Sequence, residues 1–173
     1  MEQEPMLRSS RVLIVGKGEG WDRAFKLLDS NEWNVWAIPQ AYTLLNDSRV
    51  DLVFEVHAPD AWRKKKATIH KLNTAFTRPK LIVPQRVPGW TNNSYLLPIN
   101  EIQAMGLPLV NTFAWMVAYA LHRGVTEFAF RGVNLDFEHE GKEERDGMLF
   151  ILGYLKALGC SLDIDRYSGL ARG

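Results

Sequence analysis

The sequence predicts an α/β Rossmann-like fold, a three-layer sandwich in which helices cover both faces of a mostly parallel β-sheet. Short apolar, β-branched runs alternate with amphipathic helical segments, an order typical of parallel strands joined by crossover helices. The first run, Arg11–Val15, is compact and ends on Gly16, as expected of a strand covered on both faces. The 173 residues fit a single domain over 1–173, in which we expect 1–10 to be flexible.

Each further element follows from hydrophobic spacing and from the residues that end it. Trp21, Ala24, Phe25 and Leu28 recur at i, i+3, i+4 and i+7, the spacing of a buried helix face. The same reasoning predicts the remaining elements of the first half: strands at 34–38, 51–57 and 80–83, a short helix near 42–45 and a basic helix over 60–76. Residues 84–98 are rich in Pro, Gly, Asn and Ser and are interpreted as a functional lid.

The second half repeats the alternation of strand and helix. A brief strand is expected at 107–110, followed by a helix whose apolar stripe runs from Phe113 to Leu121 and which Gly124 caps. The last predicted elements are a strand at 127–131, a helix striped from 148 to 158 and a strand at 161–164.

The amino-acid composition limits the kinds of partner and cellular compartment that we expect for this protein. The 21 basic and 20 acidic residues nearly cancel, so overall charge does not indicate a protein that wraps nucleic acid or lies on a membrane. Cys160 is the only cysteine, which excludes an internal disulfide framework and a multi-cysteine metal site. Residues 1–10 lack the apolar core of a signal peptide, and no 18 apolar residues run together, so a cytoplasmic protein is expected. A homo-oligomer is compatible with these features.

Ligands of an open parallel sheet bind outside the carboxyl ends of its strands. The first of these ends carries Gly16, Lys17, Gly18 and Gly20, whose backbone can turn sharply and present amide groups to an anion at a helix start. The other predicted ligand-binding residues lie at or just after the ends of predicted strands: Gln40, Asn111, Thr112, Arg131 and Asn134. A phosphorylated ligand is therefore expected at this edge, with Lys17 and Arg131 as candidate phosphate clamps. The alternative is that the glycines merely make a tight turn.

The glycine loop matches neither of the common nucleotide motifs. A dinucleotide fingerprint would need a third glycine where Trp21 stands, and an acid after the second strand, where the chain reads Ile38-Pro39-Gln40. A P-loop would need Gly-Lys-Ser/Thr at a fixed spacing, which is absent. NAD is therefore disfavoured, and ATP bound in the P-loop manner is excluded.

Three residues are candidates for proton transfer. His57 ends a predicted strand at the expected ligand edge and suits either proton transfer or a hydrogen bond to phosphate. His139 and Asp136 lie in a polar stretch where a general base could act, and where oxygen ligands could hold the magnesium of a phosphorylated ligand, although no metal-site spacing is present. The alternatives are a structural histidine at 57 and a solvated loop at 136–141.

One strongly basic run, Arg63, Lys64, Lys65 and Lys66, could contact phosphates or nucleic acid. It has no interleaved aromatic residues and matches no nucleic-acid motif, so a solvated helix face is the competing interpretation.

The segments 11–22, 35–38, 51–57, Asn111-Thr112 and 132–136 together resemble a Rossmann-like superfamily. It contains the archaeal hydroxymethylpterin diphosphokinases and, more distantly, bacterial sialyltransferases that use CMP-sialic acid; small phage-encoded proteins of unassigned activity show a stronger resemblance. The resemblance implies nucleotide contacts from the glycine loop, including Trp21 and Asp22, and from Asn111 and Thr112.

The chain also departs from that superfamily's motifs. Glu19-Gly20 replaces Pro-Ser in the first loop, Asn134 replaces an aspartate, and 142–146 lacks the Tyr-Gln-Arg-Pro-like stretch of the phage proteins. These departures are compatible with a changed or lost activity.

The sequence is compatible with three functions. The first is a transferase acting on a nucleotide-activated donor, by glycosyl or diphosphate transfer. The second is a non-enzymatic protein, in a phage setting, that binds or sequesters a nucleotide or a nucleic-acid end. The third is a scaffold that kept the fold and lost its ligand.

Overall fold

The computed structural model describes residues 4–45, 49–58, 80–85, 94–135 and 142–165. Seven strands of this described part form one sheet: β1 Arg11–Val15, β2 Asn34–Ala37, β3 Leu52–Phe54, β4 Lys80–Val83, β5 Ser94–Leu96, β6 Glu127–Arg131 and β7 Ser161–Ile164. The described helices are a 3₁₀ turn at Trp21–Ala24, then α1 Phe25–Leu28, α2 Pro39–Leu45, α3 Ile99–Gln103, α4 Thr112–His122 and α5 Lys142–Ala157. The predicted basic helix over 60–76 lies outside the described residues.

All strand pairs are parallel, in the spatial order β5-β4-β3-β2-β1-β6-β7. The chain builds outward from β1 to β5 and then returns to place β6 on the other side of β1. Val15, the last residue of β1, lies opposite Ala37 of β2 and Arg131 of β6. The carboxyl ends of these three strands therefore meet at one edge, as the sequence predicted.

The sheet is covered on both faces, which confirms the predicted three layers. Alternate residues of a strand point to opposite faces. In β1, Val12 and Ile14 belong to the core that packs with α4 and α5, whereas Leu13 and Val15 belong to the core that includes residues of α2. Because both faces are buried, inner strands such as β1 and β3 are continuously apolar rather than alternating.

Two predicted segments differ from the structure. Residues 107–110 form no strand: Pro108 has no amide to donate to a ladder, and the Val110 amide bonds locally to the Pro108 carbonyl at 3.0 Å. Conversely, part of the predicted lid is the edge strand β5, whose three residues pair with β4. A strand this short leaves no periodic signal in the sequence.

Candidate functional site

A cleft of about 560 Å³ opens at the carboxyl ends of β1, β2 and β3, beside the start of α4. Its polar lining comes from separate segments of the chain: Lys17, Gln40, Glu55, His57, Asn111, Thr112 and Glu144. Five of these seven residues were predicted as ligand-binding or catalytic from sequence, and Glu55 and Glu144 were not. The structure thus brings Lys17, Gln40, His57, Asn111 and Thr112 together around one cavity.

The N-terminus of α4 faces this cleft. Asn111 is the residue before the helix, and its side-chain Oδ1 accepts a hydrogen bond from the Ala114 amide at 2.9 Å, an ordinary N-cap. The other end of the same side chain, Nδ2, is buried and has no hydrogen-bond partner among the described residues. A buried, unsatisfied amide is costly, and a bound acceptor would remove that cost.

His57 stands at the cleft wall with a carboxylate behind it. Glu55 follows β3 directly and its side chain is 3% exposed, whereas the His57 side chain is 51% exposed. The Glu55 Oε1 contacts His57 Nδ1 in a short hydrogen bond and also accepts the His57 amide at 3.2 Å. The remaining ring nitrogen, Nε2, is the one left for a ligand.

The apolar lining of the cleft is partly aromatic. Phe54 is fully buried, Phe113 is nearly so, and Trp115 is half-buried. Phe113 and Trp115 lie in the first turn of α4, next to the polar groups of Asn111 and Thr112. A ligand with a polar, anionic end and a flat apolar part matches this arrangement.

The glycine loop packs against the loop after β6. The amide of Gly16 donates to the Arg131 carbonyl at 2.8 Å, and that of Gly18 donates to the Gly132 carbonyl at 2.7 Å. A Cβ at Gly16 would lie 2.3 Å from the Gly132 oxygen, and one at Gly18 would lie 2.5 Å from the Asn134 Cβ. These two glycines are required by the close approach of two loops, and their amides already have acceptors.

An internal carboxylate lies where the glycine loop enters the 3₁₀ turn. Gly20 precedes that turn in a left-handed conformation, with φ of 84°, and a Cβ there would lie 3.1 Å from Asp165 Oδ2. Asp165 is buried and forms an ion pair with Arg23 at 3.0 Å. The protein therefore places its own anion beside the start of this turn.

The remaining predicted residues lie away from the cleft or outside the described ranges. Arg131 lines a separate depression of about 550 Å³ and pairs with Asp163 at 2.5 Å. Trp21 stacks edge-on against Phe25, their ring centroids 5.9 Å apart, and Asp22 is exposed. Three predictions and most of a fourth fall on residues that the structure does not describe: Asp136, His139, the basic run 63–66 and, apart from Glu143 and Glu144, the metal site over 136–144. Within the described part, no three His, Cys, Asp or Glu side chains cluster as metal ligands would.

Known proteins resemble this chain in structure rather than in sequence. No protein-family model and no curated protein matches the sequence. An α-2,3-sialyltransferase from Campylobacter jejuni in apo form superposes with a TM-score of 0.68 at 14% identity, over 99% of this chain and 82% of that chain. The sialyltransferase CstII from C. jejuni, in complex with the substrate analogue CMP-3FNeuAc, gives 0.61 at 13% identity, over 94% and 84%. The sialyltransferase CST-II in complex with a trisaccharide acceptor and CMP gives 0.62 at 13%, over the same shares.

The chain shares their fold. The likeness to sialyltransferases expected from the sequence motifs is thus confirmed at the level of the fold, over nearly the whole chain. None of the described helices has both the length and the apolar character needed to cross a membrane.

Glu55 is the buried site residue that sequence reasoning missed. It was absorbed into the predicted strand 51–57, and a glutamate near a strand end reads as solvent-exposed. The available signal was its position in an otherwise apolar run, two residues before a histidine already singled out.

Proposed function

We propose that the chain binds a nucleotide or nucleotide sugar in the cleft and transfers a group from it to an acceptor hydroxyl. One observation carries the proposal: an unsatisfied buried donor, Asn111 Nδ2, and the start of α4 share one cavity with the Glu55–His57 pair. Asn111 Nδ2 and the start of α4 suit the binding of an anionic substrate, and the Glu55–His57 pair suits proton transfer.

The phosphate of the donor is assigned to the start of α4. This helix of 11 residues carries a partial positive charge at its N-terminus, where the first amides have no partner within the helix. Thr112 adds a hydroxyl, Asn111 adds the free Nδ2, and Lys17 adds a full positive charge from across the cleft. The glycine loop then contributes mainly by positioning Lys17, because its amides at 16 and 18 bond to the β6 loop.

The transfer step needs a base at the acceptor. His57 Nε2 takes the proton of the acceptor hydroxyl as its oxygen forms a bond to the transferred group. The bond from that group to the donor phosphate oxygen breaks, and its electron pair leaves with the nucleotide. The charge that develops on the leaving phosphate is stabilised by the α4 N-terminus and Lys17.

One observation favours glycosyl transfer over diphosphate transfer. The solved structures with this fold include sialyltransferases in complex with a CMP-sugar analogue and with CMP plus a saccharide acceptor. The diphosphate alternative would place the magnesium of a triphosphate donor on Asp136 and its neighbours, which lie outside the described residues.

The test begins with ligand binding. Thermal unfolding is measured with nucleoside monophosphates and nucleotide sugars, CMP and CMP-sialic acid among them. A ligand at 100 times its Kd stabilises a protein by about 2.7 kcal/mol, which raises Tm by roughly 5–10 °C at this chain length. Mass spectrometry of small molecules that co-purify with the protein identifies a ligand missing from the panel.

Turnover is then measured with the donor that binds. Release of free nucleotide that depends on an added acceptor supports the transferase. Binding without release across saccharide, lipid-linked and nucleic-acid acceptors indicates the non-enzymatic binding protein instead. No Tm shift with any nucleotide, and none co-purifying, refutes the proposal.

A further inference from the structure

Glu55 is a buried acid that the transfer step described above leaves without a role. The residue is 2% exposed, although it lies next to Phe54 at the end of an apolar strand. Taking a carboxylate out of water is costly unless it is hydrogen-bonded and paired. The partners that the structure gives it are the backbone amide and the ring Nδ1 of His57.

An ionised carboxylate has no proton to donate, so Nδ1 must carry the proton that bridges it to Glu55. In the neutral ring, the lone pair then belongs to Nε2. The hydrogen bond from the His57 amide to Glu55 Oε1 also holds the backbone from which the imidazole ring extends. One side chain thus sets both the tautomer and the orientation of His57.

We propose that Glu55 is a positioning residue that holds His57 with Nε2 unprotonated and open to the acceptor hydroxyl in the cleft. This role rests on the proposed transfer function. During transfer, the negative carboxylate also stabilises the imidazolium that forms when His57 takes the proton. A purely structural Glu55 would secure the end of β3 without determining the ring's protonation.

The test measures the tautomer of the His57 imidazole directly, in protein without a bound ligand. Long-range ¹H–¹⁵N spectra of protein carrying ¹⁵N-labelled histidine distinguish the two neutral tautomers, and His57→Gln identifies the signal among the four histidines. The variants are Glu55→Leu, which has no acceptor, and Glu55→Gln, which keeps a neutral one. Glu144→Gln, which removes another carboxylate at the cleft, is the matched control.

We expect the Nδ1–H tautomer in the wild type, in Glu144→Gln and in Glu55→Gln, and a shift to Nε2–H in Glu55→Leu. Nε2–H in the wild type, or a tautomer that Glu55→Leu leaves unchanged, overturns the proposal. Circular dichroism and thermal unfolding confirm that each variant folds. If Glu55→Leu does not fold, the wild-type tautomer and the kcat of Glu55→Gln carry the test, and a kcat equal to that of the wild type overturns the role.

Turnover separates this inference from the proposed function. With a donor that is transferred, Glu55→Gln should lower kcat by roughly 10-fold or more while KM for the donor stays unchanged, since the base loses its anionic partner but the phosphate site does not. If no nucleotide binds, the proposed function fails even when the tautomers are as expected. If transfer occurs and Glu55→Gln leaves kcat unchanged, the role of Glu55 fails alone.

Discussion

The amide of Gly18 donates a 2.7 Å hydrogen bond to the carbonyl of Gly132, which joins the loop after β1 to the loop after β6. Gly132 itself has φ of 63°, in the left-handed region, and a Cβ there would lie 2.7 Å from both the Gly16 oxygen and the Trp21 Cβ. The two loops therefore fit together only where side chains are missing from both. This contact is sufficient to account for the glycines at 16 and 18.

Adding a methyl group at this contact should destabilise the protein. Gly18→Ala forces a Cβ to 2.5 Å from the Asn134 Cβ, so we expect the free energy of unfolding to fall by about 1–3 kcal/mol. Gly153→Ala is the control, because that glycine lies within α5 with open space around it. This variant should have a free energy of unfolding about 0.5–1 kcal/mol higher than that of the wild type. Urea unfolding measures both, and a neutral Gly18→Ala would mean that the loops can separate at no cost.

Two substitutions at Asn111 separate its structural role from its binding role. Asn111→Ala removes the cap on the Ala114 amide and should cost about 1 kcal/mol of stability. Asn111→Asp keeps a capping oxygen but replaces Nδ2 with a second oxygen, which repels a phosphate. We expect Asn111→Asp to unfold like the wild type and to bind the nucleotide at least 10-fold more weakly by isothermal titration. Equal affinity in Asn111→Asp would show that Nδ2 does not contact the ligand.

The sequence predicted most of the sheet because burial leaves a strong pattern. Helices on both faces make each inner strand continuously apolar, and β1, β4, β6 and β7 have the predicted bounds. The short edge strand β5 and the false strand at 107–110 mark the limit of this reasoning. Three residues are too few to show periodicity. The apolar run at 107–110 resembles a strand in hydrophobicity, but its proline has no amide with which to pair in a sheet.

The site was predicted less completely. Parallel topology indicates at which edge of the sheet a ligand binds, but it does not show which residues contact one another at that edge. The rule that ligands bind at strand carboxyl ends placed Lys17, His57 and Asn111 together correctly. It could not show that the amides of the glycine loop bond to the β6 loop, or that Asp165, far along the chain, lies against Gly20. Those facts depend on contacts between distant segments, which spacing along one sequence does not encode.

Lys17 should contribute charge to the phosphate site. It is exposed at the cleft, and Lys17→Gln should raise the Kd for the nucleotide by about 10-fold, equivalent to about 1.4 kcal/mol. The control is Lys26→Gln, a change to an exposed lysine at the separate depression that contains Arg131. Titrations at several salt concentrations should show a weaker salt dependence for Lys17→Gln alone. Equal losses in both variants would point to general charge attraction.

His57 should affect the transfer step rather than binding. His57→Gln keeps a polar side chain of similar size but provides no base, so kcat should fall by about 10²–10⁴-fold with little change in the Kd of the donor. His122→Gln, at the far end of α4, is the matched control and should turn over donor like the wild type. A His57→Gln variant that binds the donor and retains full kcat would remove His57 from the mechanism.

Tyr119 couples stability to alkaline pH. It is fully buried in α4, where burial raises the pKa of its phenol to about 12 even though the Arg123 guanidinium, 2.9 Å from the hydroxyl, acts in the opposite direction. The unfolded chain ionises near its ordinary pKa of 10.0. The neutral phenol thus contributes stability that is complete below pH 10 and is lost as pH rises through 12, because the unfolded state releases its proton first.

The loss should amount to roughly 2 kcal/mol by pH 12, since each pKa unit corresponds to about 1.4 kcal/mol and the folded phenol is only about half ionised at that pH. Tyr119→Phe cannot ionise, so the difference in unfolding free energy between wild type and variant should shrink by that amount between pH 9 and 12. Removing the hydroxyl also removes its hydrogen bond from Arg123, which adds an offset that does not vary over this range. Urea unfolding of both proteins at four or five pH values separates the two effects, and parallel curves would show that the phenol titrates alike in the folded and unfolded chains.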